Sequence, residues 1–277
     1  MQVAWIKWLS ERKVLNLILL LIYYLLVVLP HEWVGLQTVK IFGSLTRNQY
    51  NLTISALSFI ALFIFLLFIF KKVRNSEQEL LKWFYFFATI LFAILCFKIL
   101  FVINIEAIHF VQYAGFAVLC FPLFQNFNQT LIISTIAGAI DEAYQYFYLA
   151  PQRTNYYDLN DVIINLIGAA FGLILIRCLN PLVKHYKGIR FLKSPAIILS
   201  FSVCLVILSS FITSLIGLYA TNSDATYVLV KKMPSSFWTE IPTKVLYHIV
   251  LPIEGLIITI LLLLFYSKIC KGCKSIN

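Results

Sequence analysis

About eight apolar runs, each as long as a bilayer is thick, constrain this sequence more than any other feature. The hydrocarbon core of a membrane is roughly 30 Å thick, and an α-helix crosses it with about 20 apolar residues. The runs lie near Val14–Leu29, Thr53–Phe70, Phe84–Val102, Ile105–Phe121, Thr130–Leu149, Val162–Leu179, Ala196–Tyr219 and Leu246–Tyr266. A soluble core could not bury a 277-residue chain that is 61% hydrophobic and 12% charged. The sequence therefore predicts an all-α integral membrane protein, a polytopic helical bundle of about eight transmembrane helices.

The chain shows no linker rich in Pro, Gly or Ser, so we expect a single helical membrane domain over residues 1–277. The first apolar run lacks a small-residue cleavage site after it and is interpreted as an anchor rather than a signal peptide. Residues 221–245 mix aromatic and charged side chains, which is typical of an outer interfacial loop or a short amphipathic helix. A lid over a site is the alternative for this segment.

The basic residues indicate an orientation. Most of the 22 Lys and Arg residues lie in four segments, at residues 7–13, 71–82, 177–193 and 268–274. Positively charged segments beside membrane spans are usually cytoplasmic, so we expect both termini in the cytoplasm. The net charge of +10 then reflects topology and contacts with anionic lipid headgroups, and nucleic acid is not expected as a partner.

Polar residues of unusual type gather in three successive spans. The fourth span carries Glu106, His109 and Tyr113 on one helical face. The end of the fifth span and the start of the sixth carry carboxylates and amides, and the loop between them carries an arginine. These residues are Asp141, Glu142, Gln145, Arg153, Asp158, Asp161 and Asn165.

The predicted topology brings these residues to one side of the membrane. The fourth and sixth spans begin outside and the fifth ends outside, so their polar ends can converge on one outward-facing pocket. A charge inside a span costs several kcal/mol and normally faces a cavity or a partner. We therefore interpret the group as a functional site. The alternative is a buried polar network in which Arg153 pairs with the carboxylates.

Two further features accompany the polar group. Gly168 and Gly172 form a G-x-x-x-G pattern, which predicts close helix packing rather than catalysis. Glu254, in the last span, could support the site from behind or pair with Lys98, and the sequence leaves both open.

The run D-E-x-x-Q-x(7)-R-x(4)-D-x-x-D-x(3)-N-x-x-G-x(3)-G, which ends at Gly172, resembles the VanZ-like family, as does the preceding E-x-x-H-F helix. The matching part covers roughly Ile105–Ile176. Family members often have a Lys near the start of the His-bearing helix, where this chain has Glu106 and Ala107. The resemblance implies a multi-pass protein of the bacterial cytoplasmic membrane. The family is named for reduced susceptibility to glycopeptide antibiotics of the teicoplanin type.

These residue types suit an enzyme that acts from the outer face on a phosphate-containing lipid headgroup or a lipid-linked cell-envelope precursor. His109 could serve as a general base or a nucleophile, with Glu106 fixing its tautomer. Asp141 and Glu142 could exchange protons with the reacting groups, and the guanidinium of Arg153 offers a planar fork to a phosphate. Further substrate contacts are expected from Tyr113, Gln145, Asp158, Asp161 and Asn165.

Two other functions stay open. A non-catalytic protein could capture the envelope precursor and so reduce susceptibility to glycopeptides, in which case Arg153 would matter more than His109. A transporter could relay protons through the membrane carboxylates. The inner halves of these spans are almost uniformly apolar, however, and no inverted repeat is visible.

A divalent metal ion is a further alternative, with Asp158 and Asp161 as the best-spaced ligands. No strict ligand spacing supports a metal, so no metal ligand is assigned and no cofactor is required. Cys270 and Cys273 have C-x-x-C spacing but no second pair, so a structural zinc is not expected.

Overall fold

The computed structural model describes residues 4–30, 37, 40–41, 45–74, 78–102, 106–149, 151, 155–179, 194–220, 224–241 and 245–269. Most of this part of the chain is helical. The α-helices are α1 (Ala4–Glu11), α2 (Lys13–Tyr23), α3 (Arg47–Val73), α4 (Glu79–Ile99), α5 (Ala107–Phe124), α6 (Phe127–Tyr144), α7 (Leu159–Leu179), α8 (Pro195–Ile212) and α9 (Pro252–Ser267). Two π-helical turns, Tyr24–Val28 and Gln145–Leu149, continue α2 and α6.

Five of the described helices, α3, α4, α5, α7 and α8, are long and apolar enough to cross a membrane. Helix α2 with its π-turn and helix α9 are apolar but shorter. Helix α6 is more polar, because its first turn contains Asn128 and Gln129 and its last turn contains Asp141 and Glu142. The chain is therefore a membrane-embedded helical protein, while the number of eight spans and the orientation of the termini stay predictions.

Helix α7 lies at the centre of the bundle, and nearly all of its side chains are buried. It packs against α4, α5 and α6, and also contacts α3 and α9. A Cβ added at Gly168 would stand 2.9 Å from Cα of Phe110, and one at Gly172 would stand 3.0 Å from Cα of Ala114. Each would also overlap a carbonyl oxygen of α5. The predicted role of the two glycines in close helix packing is therefore confirmed.

Short strands lie between α8 and α9. The expectation of an entirely α-helical protein therefore does not hold for this segment. Strand β1 (Ile216–Tyr219) pairs in parallel with β2 (Tyr227–Val230), and β3 (Thr239–Ile241) pairs antiparallel with β4 (Val245–Tyr247). The described part of residues 221–245 thus forms extended chain rather than an amphipathic helix. The run Tyr-Val-Leu-Val of β2 is aromatic and β-branched, a composition that favours strands over helices.

Strand β2 rests on the chain that leads into α7. The backbone N–H of Tyr157 donates to the carbonyl of Leu229 over 2.8 Å, and that of Lys231 donates to the carbonyl of Asn155 over 2.7 Å. Tyr156 forms an antiparallel bridge with Val230. Residues 155–157 are thereby fixed immediately before the first turn of α7.

The side chain of Asn160 joins three segments at this end of the bundle. Its amide Nδ2 donates to the carbonyls of Leu100 at 3.0 Å and His248 at 2.9 Å, and its Oδ1 accepts from the N–H of Val250 at 3.0 Å. Each partner is a backbone group that would otherwise be orphaned in a buried position. Asn160 therefore ties the start of α7 to the end of α4 and to the approach to α9.

Candidate functional site

The polar residues of α5, α6 and α7 meet at one end of the bundle, where α5 and α7 begin and α6 ends. We call this group the carboxylate–histidine cluster. Its members are Glu106, His109, Asp141, Glu142, Asp161 and Asn165. Their spacing places them on the inner faces of the three helices, so the packing of α5 and α6 around α7 brings them together.

His109 is the centre of the cluster and is only 1% exposed. It lies in the first turn of α5, next to Phe110, whose backbone contacts Gly168 of α7. Its Nε2 atom lies 3.5 Å from Oε2 of Glu106 and 3.8 Å from Oδ2 of Asp161. Glu106 immediately precedes α5 and Asp161 lies in the first turn of α7. One side of the imidazole thus faces two carboxylates from two helices.

The other ring nitrogen of His109 faces α7 and α6. Nδ1 donates to Oδ1 of Asn165 over 3.2 Å and lies 3.8 Å from Oε1 of Glu142. Among the described residues Oδ1 of Asn165 is the acceptor nearest to a ring nitrogen, and this shorter contact favours the tautomer that carries its proton on Nδ1. The lone pair of the neutral imidazole is then on Nε2 and points towards Glu106 and Asp161.

Asp141 lies deeper in the bundle and is fully buried. The hydroxyl of Tyr113, which is also fully buried, donates to its Oδ2 over 3.4 Å. Gln145 follows one turn later, at the start of the π-turn, and its side chain lies beside Glu142. The predicted neighbours Tyr113 and Gln145 therefore contact the carboxylates of α6, while the His109 ring contacts residues of α7.

Asp158 has a structural contact that the sequence reasoning did not anticipate. Its Oδ1 accepts from the backbone N–H of Asn160 at 3.1 Å and from that of Asp161 at 3.4 Å, so it caps the N-terminus of α7. Burial raises the pKa of Asp158 to about 6, and the two backbone N–H groups limit that rise. Within the described residues Asp158 holds the helix end rather than belonging to a set of metal-ligating atoms.

Of the two other predicted residues, one is not described and the other lies outside the cluster. Arg153 falls outside the described residues. Glu254, for which the sequence left two partners open, accepts from Nε2 of His248 with Oε1 at 2.9 Å and Oε2 at 3.0 Å. Lys98 has no part in this contact. Among the described residues, the link from Glu254 towards the carboxylate–histidine cluster runs through His248, whose backbone carbonyl Asn160 holds.

Four residues near the site were missed by sequence reasoning. Asn160 and His248 connect the start of α7 with the approach to α9. The hydroxyls of Tyr24 and Tyr157 donate to the carbonyls of Ala137 at 2.9 Å and Ala139 at 2.7 Å, just before Asp141 on α6. Only the sequence N-Y-Y-D-L-N-D around residues 155–161 gave a local signal, as a polar run before an apolar one.

The cluster offers two sets of atoms that could hold a metal ion. One set comes from Glu106, His109 and Asp161, and the other from His109, Asp141 and Glu142, with the ligand atoms of each set within 4.8 Å of one another. The same groups could also pass protons between a buried imidazole and its carboxylates. The arrangement therefore suits acid–base chemistry, metal binding or both.

Comparison with family models, with curated proteins and with solved structures gave no match for this chain. The resemblance of its motif to the VanZ-like family stays a prediction.

Proposed function

We propose that this protein is an enzyme that modifies a phosphate-containing lipid headgroup or a lipid-linked cell-envelope precursor at the outer face of the bacterial cytoplasmic membrane. The observation that carries the proposal is the burial of His109 between carboxylates on both of its ring nitrogens. A purely structural histidine needs at most one acceptor for each N–H, whereas this ring is surrounded by more carboxylates than it can neutralise.

The location of the cluster supports a substrate that is itself in the membrane. The cluster lies at the ends of helices that are long and apolar enough to cross a bilayer, about one helical turn from those ends. A headgroup at the membrane surface would be at that depth, while its acyl chains would lie beside the apolar helices.

The exposed fraction of the side chains falls from one side of the cluster to the other, which suits entry of a substrate from the exposed side. The side chain of Glu106 is 33% exposed, whereas those of His109 and Glu142 are each only 2% exposed. A substrate would therefore meet Glu106 first and reach His109 behind it. The loop that carries Arg153 joins the end of α6 to the start of α7, so we place its guanidinium on the phosphate of the substrate.

In this proposal His109 accepts a proton at Nε2 from the attacking hydroxyl or water. Asn165 keeps the ring in the tautomer that leaves Nε2 able to accept. Glu106 and Asp161 stabilise the imidazolium that forms, and His109 then returns the proton from Nε2 to the leaving group. Asp141, held by Tyr113, sets the negative potential behind the ring.

The test is mass spectrometry of lipids and envelope precursors in a deletion strain and in the same strain complemented with wild type, His109→Ala or Tyr148→Ala. Tyr148 is exposed on the π-turn and serves as the matched control. We expect a species that changes on deletion, returns with wild type and Tyr148→Ala, and does not return with His109→Ala. Identical profiles in all strains, with stable expression, would contradict the enzyme and favour a non-catalytic precursor-binding protein.

A further inference from the structure

We propose that Glu106, His109 and Asp161 bind a divalent metal ion through Oε2, Nε2 and Oδ2. The inference rests on the proposed function for its catalytic meaning and changes one role in it. With an ion on Nε2, His109 would be a ligand rather than the general base, and the ion would supply the activation of the attacking water or hydroxyl. Metal binding itself can be measured without any substrate.

The distances between the three atoms are only slightly longer than those between ligand atoms around a bound metal ion. Oε2 of Glu106 and Oδ2 of Asp161 lie 3.5 Å and 3.8 Å from Nε2 of His109, and all three atoms lie within 4.8 Å of one another. Ligands bound at about 2.1 Å stand roughly 3.0–3.5 Å apart in octahedral or tetrahedral geometry. Small side-chain rotations would therefore place all three atoms around one ion.

The orientation of His109 also fits a metal ligand. A ligating imidazole presents a lone pair to the metal and donates its other N–H to an acceptor that fixes the ring. Asn165 supplies that acceptor, since its Oδ1 lies 3.2 Å from Nδ1. The alternative set with Asp141 and Glu142 approaches His109 from the Nδ1 side, where the ring carries its proton. The Nε2 set is therefore the one that can bind an ion.

An independent observation indicates that a cation belongs here. Oδ1 of Asp161, the second oxygen of a proposed ligand, is buried without a hydrogen-bond partner among the described residues, and Asp161 is only 8% exposed. In that part of the chain the ion pair of Asp161 involves His109 alone. Carboxylates in such surroundings are costly unless a positive charge compensates them. A divalent ion beside His109 would supply it.

The donor set indicates the class of metal. Two carboxylate oxygens and one imidazole nitrogen, with no thiolate, suit Mn²⁺ or Zn²⁺ better than Cu⁺. Three protein ligands leave one or more positions open on the ion, as in catalytic rather than structural sites. A phosphate or water oxygen would occupy the open position on the exposed side of Glu106.

The experiment uses the full chain, purified in an uncharged detergent, stripped with EDTA and then equilibrated with Mn²⁺ or Zn²⁺. Bound metal is measured by mass spectrometry of the elements, and Mn²⁺ also by electron paramagnetic resonance. We expect one ion per wild-type chain and an affinity at least about tenfold lower in Glu106→Gln and Asp161→Asn. Glu11→Gln removes an exposed carboxylate of α1 and should bind as wild type does.

Asp158→Asn is the closer control, because Asn can still cap α7 while one carboxylate near the cluster is lost. It should retain the ion within about threefold, which separates ligation from general negative charge. If wild type binds no more Mn²⁺ or Zn²⁺ than Asp161→Asn does, the inference is wrong.

A measurement on wild type alone covers the case in which the variants do not fold. Electron spin-echo modulation of bound Mn²⁺ should show one directly coordinated imidazole nitrogen, and its absence would overturn the assignment of His109. The two proposals fail separately. If the chain binds the ion but no lipid or precursor changes on deletion, the metal site is supported and the enzyme function is contradicted. If turnover persists after EDTA treatment, the enzyme function is supported and the catalytic role of the metal is contradicted.

Discussion

His109 and His248 are both buried beside carboxylates, but their surroundings differ in how closely the acceptors approach the ring. His248 donates through Nδ1 to the carbonyl of Phe237 over 2.8 Å, and Glu254 stands 2.9 Å from its Nε2. The Phe237 ring stacks on the imidazole with centroids 4.0 Å apart. Around His109, the three carboxylates stay 3.5–3.8 Å from the ring nitrogens.

The comparison separates a histidine held by short contacts at both ring nitrogens from one whose described carboxylate neighbours stand farther from the ring. Hydrogen bonds near 2.9 Å to both ring nitrogens, with a stacked aromatic ring, stabilise a fixed position. Carboxylates at 3.5–3.8 Å on two sides would instead accommodate an ion or a reacting group between them and the ring. We therefore infer a structural role for His248 and keep the chemical role of His109 as a proposal.

The largest expected effect tests this assignment directly. His109→Asn should lower turnover of the proposed lipid species by about 100-fold or more while leaving the melting temperature of the EDTA-treated protein nearly unchanged. His248→Asn should leave turnover within a few fold and lower the melting temperature, because Glu254 loses its partner. Turnover in isolated membranes and thermal unfolding in detergent measure the two effects. Equal loss of turnover from both substitutions would abolish the distinction.

Metal removal should distinguish the two regions through stability. An ion that binds only the folded state stabilises it by about 2.7 kcal/mol when present at 100 times its dissociation constant. Mn²⁺ or Zn²⁺ should therefore raise the melting temperature of the EDTA-treated wild type and of His248→Asn, but not that of Asp161→Asn. A rise of the same size in Asp161→Asn would place the ion elsewhere.

A glycine substitution tests whether helix packing sets the position of His109. A Cβ at Gly168 meets the backbone of Phe110, which cannot rotate away, so Gly168→Ala should destabilise the protein by about 2 kcal/mol. At Gly255 the nearest atoms belong to the flexible side chain of Leu159, and Gly255→Ala serves as the matched control. Thermal unfolding compares the two variants, and equal destabilisation would contradict the proposed rigidity of the α5–α7 contact.

The smallest expected effect concerns the tautomer of His109. Asn165→Leu removes the acceptor from Nδ1 without removing a metal ligand, so metal affinity should fall by about tenfold and the ion should still bind. Titration with Mn²⁺ measures the change. Unchanged affinity in a folded variant would show that Asn165 does not orient the ring.

The sequence predicted the helical membrane bundle because long apolar runs have few other stable structures. It also predicted the grouping of Glu106, His109, Asp141, Glu142, Asp161 and Asn165 at one end, since their helices begin or end there. The resemblance to a family added an expected location in the bacterial cytoplasmic membrane and a link to glycopeptide susceptibility, both of which stay predictions.

What the sequence could not predict depends on contacts between distant segments. Nothing local marks Asn160 as the partner of three backbone groups, or His248 as the partner of Glu254. The short strands also escaped prediction, because three or four residues carry too weak a pattern and their pairing is set by the surrounding chain. Asp158 looked like a ligand because a carboxylate that caps a helix has the same spacing as one that binds an ion.

The contact of Gly168 and Gly172 with α5 has a consequence for how the cluster can open. Backbone packed directly on backbone leaves no side chains to compress, so α5 and α7 must move as one rigid body. Glu106, His109, Asp161 and Asn165 all belong to that body and keep their mutual distances during any motion. For the proposed substrate we therefore expect any opening movement to come from α6, which would carry Asp141 and Glu142 with it, while the four residues on α5 and α7 keep their positions.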